Sequence, residues 1–230
     1  LPITSEEGER QPASNEDGTI FAVLNGEIYN YKSLRADLLS RGHKFTTNSD
    51  TEVLVHMYEE KGPNMVRSLD GMFAFVLYNS KTGNFMAARD PIGIKPLYFA
   101  SQNGAIYISS EIKGLSKLDV VEIKYLSPGH YLTAQGEVNY FSVNPTEVPE
   151  DLGSLVGNLR VLIDNAIRKM VDLPLPIGVL FSGGIDSATV LSTAIKYHPK
   201  VTAITFGTKG SPDRDVAERY CRENSVPLIV

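Results

Sequence analysis

The chain has 230 residues, and 22 Lys and Arg against 27 Asp and Glu give a formal charge of −5, so it carries no basic field for nucleic acid. A hydrophobic share of 42% with 21% charged residues excludes disorder, collagen and coiled coil, and the length allows one large domain or two smaller ones. The longest apolar runs, such as residues 72–77 and 177–181, fall far short of the roughly 20 residues a membrane-spanning helix needs, so no membrane partner is expected either. The single cysteine, Cys221, allows no internal disulfide and no cysteine zinc cage, which fits a reducing cytosol and predicts a cytoplasmic protein.

Up to about residue 140 the predicted elements are mostly short strands. Residues 19–24 and 71–78 are apolar enough for strands buried on both faces, and residues 85–88, 97–100 and 106–109 suggest a meander. Between them, residues 31–40 repeat Leu34, Leu38 and Leu39 at helical spacing before Gly42. Ser49-Asp50-Thr51-Glu52 opens a second helix with Val53, Leu54, Met57 and Tyr58 as its apolar stripe, ending at Gly62-Pro63. Arg89 and Asp90 read as an exposed loop pair without a catalytic role, and the four histidines form no H-x-x-x-H pair that would suggest metal ligation.

Residues 144–151 carry turn formers and acids without any period, so two domains are predicted, 1–145 and 146–230. The second region predicts a helix over 152–171 with Leu155, Leu159, Leu162, Ile163, Ala166 and Ile167 inward, and a buried strand over 177–181. A helix (186–197), a strand (201–206), a helix (213–223) and a strand (226–230) follow, the alternation of a parallel α/β sheet. Cys221 falls on an apolar helix face and reads as a core residue.

Ser182-Gly183-Gly184-Ile185-Asp186-Ser187 stands between the strand and helix of that second region, where α/β sheets bind ligands. Two glycines admit an anion close to the backbone, while Ser182, Ser187 and the helix N-terminus supply donors. Asp186 would repel phosphate unless it held a bridging Mg²⁺. A plain strand-to-helix turn with Asp and Ser as caps is the alternative. No P-loop and no G-x-G-x-x-G is present.

The same hexapeptide resembles the pyrophosphate loop of the ATP pyrophosphatase family. Upstream, Arg10-Gln11-Pro12, Asn25-Gly26-Glu27-Ile28-Tyr29-Asn30, Ser49-Asp50-Thr51-Glu52, residues 71–75, residues 88–98, Ser110-Glu111-Ile112-Lys113 and residues 126–131 are together similar to the glutaminase half of the glutamine-hydrolysing asparagine synthetase family. The resemblance implies an α+β N-terminal-nucleophile fold, a four-layer αββα sandwich, followed by a Rossmann-like ATP pyrophosphatase domain. It also implies a ligase that uses ATP to adenylate aspartate and transfers ammonia from glutamine, releasing AMP and pyrophosphate, and it leaves a homodimer open.

Asn25 and Gly26 are then expected just past a buried strand as oxyanion donors, against the bland reading of a hairpin turn. Glutamine-binding falls on Leu1, Ile3, Asn25, Gly26, Glu27 and Asp50, with the carboxylates of Glu27 and Asp50 facing an α-ammonium; Asp50 reads as a helix cap as well. ATP-binding falls on Leu180, Ser182, Gly183, Gly184, Asp186, Ser187 and Phe206, with Leu180 and Phe206 flanking the adenine and Asp186 holding the metal. Residues 210–213 are expected to cap the next helix.

The family's nucleophilic cysteine and an arginine that clamps the glutamine carboxylate are expected before Leu1, and further synthetase residues after Val230. The chain therefore reads as truncated at both ends and inactive alone. Two alternatives stand beside this: a related amidotransferase or cyclase acting on another carboxylate, and a shortened, non-catalytic glutamine- or nucleotide-binding module.

Overall fold

A computed structural model describes residues 11–118, 120, 122–145 and 151–230. The chain divides into two compact units, Leu1–Asn144 and Pro145–Val230.

In the first unit, β1 (Ala13–Ser14) and β2 (Ile20–Ile28) lead to the helices α1 (Tyr31–Ser40) and α2 (Asp50–Lys61) and a 3₁₀ turn (Gly62–Ser68). Then come β3 (Gly71–Asn79), β4 (Phe85–Arg89), β5 (Tyr98–Gln102), β6 (Ala105–Ser109), the single-turn α3 (Ile112–Leu115), β7 (Lys124–Tyr125), β8 (His130–Thr133) and β9 (Gly136–Asn139). One antiparallel sheet runs β1-β2-β3-β4-β8-β9 and a second runs β6-β5-β7.

Strand β3 shows why these layers form. Phe73, Ala74 and Phe75 are all buried, although alternate residues point to opposite faces. Phe73 and Phe75 pack with Leu54 and Met57 of α2, whereas Ala74 packs with Leu97 and Phe99 of the second sheet's side. Helices, sheet and sheet are therefore stacked, and α3 packs against β5 and β6. Each fully buried Phe or Leu in such a core contributes about 1.5–3 kcal/mol, so it is two-sided burial, not β propensity, that holds β3 central.

Two expectations change here. Strand β2 is covered on one face only along much of its length: Ile20, Ala22 and Leu24 are buried while Val23 is 42% exposed, because the second sheet's core includes residues of β3, β4 and β8 but none of β2. The meander also fails, since β4 pairs with β3 and β8 whereas β5 and β6 belong to the other sheet. The segment between β4 and β5 crosses from one sheet to the other.

The second unit contains α4 (Leu152–Met170), β10 (Ile177–Leu180), α5 (Ile185–Tyr197), β11 (Val201–Ile204), α6 (Pro212–Glu223) and β12 (Leu228–Ile229). Its strands pair in parallel in the order β10-β11-β12. Val179, Phe181, Leu191, Ala203, Ala217 and Cys221 form the core. Of the α4 residues expected inward, Ile167 is buried and Ile163 partly so, but Leu155, Leu159, Leu162 and Ala166 are exposed, because the core meets only the last turns of that helix. Strand β10 is likewise half open: Val179 is buried and Leu180 is 68% exposed.

Candidate functional site

In the first unit Asn25, Gly26 and Glu27 lie inside β2, not beyond it, and pair with Ala74, Phe73 and Met72 of β3. That register removes the hairpin-turn reading. Strand alternation places the Asn25 and Glu27 side chains on one face. Gly26 has φ of 139°, and a Cβ there would stand 2.0 Å from the Met72 carbonyl oxygen, so the two strands approach more closely than any side chain allows.

Asn25 donates from its amide to Ser110 Oγ at 3.2 Å, beside a cavity of about 200 Å³ whose lining includes Asn25, Ala74, Leu97, Ile108 and Ser110. Glu27 is buried at 6% exposure. Tyr29, two residues on, has its phenol pKa pushed above the ordinary value by burial and by the nearby carboxylates of Glu27, Asp70 and Asp90.

Asp50 is also buried, and its Oδ2 accepts from the Ile28 N–H at 2.9 Å, which ties the start of α2 to the end of β2 next to Glu27. The cap of α2 is Ser49, whose hydroxyl accepts from Thr51 N at 3.0 Å, so Asp50 does not serve as the cap. Leu1 and Ile3 lie outside the described residues.

Glu52, from the same four-residue motif, is 2% exposed and accepts from the backbone N–H groups of Thr46 and Thr47, each at 2.7 Å. It fixes the loop that leads into α2. The Ser-x-x-Glu spacing was its signal, although the carboxylate faces the loop and not the Ser49 N–H.

Arg89 and Asp90 depart furthest from expectation, being 2% and 0% exposed. The Arg89 guanidinium donates to the carbonyls of Lys95 (2.6 Å), Leu126 (2.9 Å) and Gly93 (2.6 Å) and lies over the Tyr125 ring at 4.1 Å. The Asp90 carboxylate accepts from Phe73 N (3.2 Å), Ile94 N (2.9 Å) and Lys95 N (3.0 Å). A charged pair in an irregular segment looks exposed in sequence, but here it satisfies the backbone of a connection that passes between two sheets.

In the second unit Ser182–Ser187 follows β10 and enters α5 at the carboxyl end of the parallel sheet. Gly183 has φ of 80°, and a Cβ there would meet the Asp213 carbonyl oxygen at 2.9 Å. Ser182 Oγ and Ser187 Oγ are 3.1 Å apart, and Ser187 Oγ donates to Gly184 O at 3.0 Å. Gly184 occupies the cap position of α5 and no side chain caps the helix, so neither Asp186 nor either serine plays the role the plain-turn reading assigned them. An uncapped helix start beside two hydroxyls suits an anion.

Asp186 is exposed in the first turn of α5; Leu180, 68% exposed, ends β10, whereas β11 stops at Ile204 opposite it and Phe206, 77% exposed, lies two residues beyond, not at a strand end as expected. Sequence reasoning missed Thr205, directly after β11, 2% exposed with a hydroxyl that finds no hydrogen-bond partner among the described residues. Ser211 holds the cap position of α6 but its hydroxyl makes no capping bond, so residues 210–213 cap that helix less fully than expected.

The model of the glutamine amidotransferase domain family matches residues 2–143. The chain belongs to that family. Beyond this amidotransferase domain, the asparagine synthase family model matches residues 158–229. The chain is 37% identical over 246 residues to a probable glutamine-hydrolysing asparagine synthetase of Dictyostelium discoideum, and the match covers 95% of this chain and 44% of that protein. It is 40% identical to the corresponding synthetase of Sandersonia aurantiaca (95% and 44% covered) and 42% identical to one from Arabidopsis thaliana (95% and 40% covered). The chain thus spans less than half the length of these curated relatives.

Among solved structures, the allosteric regulatory enzyme of purine biosynthesis matches with a TM-score of 0.51 at 18% identity, covering 94% of this chain and 54% of that one. That likeness concerns fold alone, and the amidotransferase domain has the N-terminal-nucleophile type of architecture.

Proposed function

We propose that this chain carries the glutamine-binding and ATP-binding parts of a glutamine-dependent asparagine synthetase. The observation that carries the reading is the conjunction, in one chain, of an amidotransferase domain and a Ser-Gly-Gly-x-Asp-Ser loop at an uncapped helix start. In the first unit Asn25 and Gly26 serve as oxyanion donors, and Glu27 and Asp50 receive the α-ammonium of glutamine. The buried position of both carboxylates supports this, since a charged acid held out of water gains most from a cationic ligand. Cys221, buried in the other unit with its thiol pKa pushed up by burial, takes no part.

In the second unit, arranged as an ATP pyrophosphatase domain, Ser182, Gly183, Gly184 and Ser187 receive the pyrophosphate, and Leu180 and Phe206 flank the adenine. The side-chain donors of this loop, the Asp186 carboxylate and the Ser182 and Ser187 hydroxyls, are all oxygens, a chemistry that fits Mg²⁺, and Asp186 would hold it. The bound ion would neutralise phosphate charge. ATP adenylates the side-chain carboxylate of aspartate, and ammonia displaces AMP to give asparagine. A cytosolic homodimer belongs to the same proposal.

In the complete gene product, Asp186→Ala should abolish aspartate-dependent pyrophosphate release while leaving glutamine hydrolysis intact. Unchanged pyrophosphate release would sink the reading.

A further inference from the structure

We propose a second site, distinct from the glutamine and ATP sites: Glu16, His43, His56 and Glu59 form a binding site for one divalent transition-metal ion of the zinc type. Sequence spacing argues against histidine ligands, because His43 and His56 are separated by a loop and half a helix. The fold brings them together from three elements: Glu16 comes from the β1–β2 turn, His43 from the α1–α2 loop, and His56 and Glu59 from one face of α2 at i, i+3. One donor atom from each of the four lies within 4.8 Å of all the others.

The separations suit tetrahedral coordination. Bonds of about 2.1 Å set the edge of a tetrahedron at about 3.4 Å. His56 Nδ1 is 3.1 Å from Glu59 Oε2 and 3.5 Å from Glu16 Oε2, and His43 Nδ1 is 3.6 Å from Glu59 Oε2 and 3.9 Å from Glu16 Oε1. These four values straddle that edge, and the two remaining edges, His43 to His56 and Glu16 to Glu59, lie within 4.8 Å, so an ion would close the shell by drawing the longer edges in.

The surroundings orient the donors as a metal site requires. Asn15 Nδ2 donates to Glu59 Oε1 at 2.7 Å, which leaves Oε2 toward the imidazoles, and the Lys44 N–H donates to Glu16 Oε1 at 2.8 Å. The outer nitrogen of His43 meets Glu60 Oε1 at 3.1 Å, and Glu60 is in turn held by Arg41 at 3.3 Å. The outer nitrogen of His56 faces Glu52 Oε1 at 4.0 Å. His56 is 0% exposed and its Nε2 makes no hydrogen bond among the described residues, and the Phe45 ring seals it from one side.

Four carboxylates, Glu16, Glu52, Glu59 and Glu60, thus converge on two imidazoles. A dication among them balances Glu16 and Glu59, and it pins the β1–β2 turn and the α1–α2 loop to α2. Imidazole with carboxylate ligands suits zinc and its neighbours better than magnesium or calcium.

The test is titration of the chelator-treated, untagged full chain with Zn²⁺ by calorimetry, and with Co²⁺ by visible absorption. Expected are one ion per chain, a raised Tm and the strong visible band of tetrahedral Co²⁺. His43→Ala and Glu59→Gln should each weaken binding about 100-fold or more, and Glu60→Gln, which only orients His43, about 10-fold or more. His130→Ala should change nothing. Glu59→Gln keeps the side-chain shape, so it decides the matter even if His43→Ala does not fold. Absence of stoichiometric uptake by the wild type, or uptake that survives Glu59→Gln, overturns the proposal.

Discussion

Replacing Gly26 by Ala probes the described glycine with the least room for a Cβ. The added Cβ would lie 2.0 Å from Met72 O and 2.8 Å from Phe73 Cα, both backbone atoms of the central strand β3, so no side chain can swing away to relieve it. The residue must also keep φ near 139°, a region nearly closed to residues other than glycine and costing about 1–3 kcal/mol. Opening the strands to admit one methyl adds about 1–3 kcal/mol of overpacking.

The sum is about 2–6 kcal/mol, which with a urea m-value of about 2 kcal/mol/M lowers the unfolding midpoint by about 1–3 M. With no tryptophan in the chain, far-UV circular dichroism is the practical probe. Gly18→Ala is the matched control, because Gly18 also has positive φ, 67°, but nothing within 4 Å of its Cβ position, so it carries backbone strain without the clash. Equal midpoints for the two variants would refute the reasoning, since they would mean that β2 and β3 separate without cost at Gly26.

Asp90→Ala strands three backbone N–H donors at about 1–3 kcal/mol each, so the Tm should fall by more than in any surface Asp→Ala variant, as differential scanning fluorimetry will read. Arg89→Lys keeps the charge but cannot span three carbonyls, and should cost about 2 kcal/mol or more in urea unfolding. Tyr140 has its phenol pKa raised by burial first and by Asp90 second. The folded state therefore holds that proton while the unfolded state releases it, so this contribution to stability is constant below about pH 10 and declines above it by up to about 1.4 kcal/mol per pH unit. Denaturation at pH 9 and 11 should show the decline, and Tyr140→Phe should make it shallower. Glu27→Gln should raise the KM for glutamine in the complete gene product about 10-fold or more while leaving ammonia-dependent synthesis unchanged, as steady-state kinetics with each nitrogen source will show.

The helices were the most legible part of the sequence. Leu34 and Leu38 at helical spacing, and Ser49 before an apolar stripe, state period and cap in adjacent residues, and α1 and α2 start and end within a residue or two of where those signals place them. Pairing was far less legible. Phe85–Arg89 and Tyr98–Gln102 have similar apolar composition, yet they lie in different sheets, and the difference is made by Arg89 and Asp90, whose partners are backbone groups that no side-chain pattern encodes.

The Ser182–Ser187 loop was legible because its glycines and hydroxyls are contiguous. Thr205 was not, since a lone Thr near the end of a strand looks the same whether or not its hydroxyl is bonded. Exposure of Leu155 and Leu159 on α4 was equally hidden, because an amphipathic stripe states which face is apolar but not how much of it is covered.

The buried Arg89 and Asp90 also set how this chain tolerates editing. Between them they hold the backbone of Phe73, Gly93, Ile94, Lys95 and Leu126, so residues 89–95 form a stretch of fixed length between two sheets. One inserted residue there would break several of these bonds at once. The β3–β4 hairpin around Gly83, by contrast, has open space at its glycine and exposed neighbours. A peptide tag or a protease site belongs at residues 81–84, where added chain costs little, and would unseat the sheets if placed at residues 91–94.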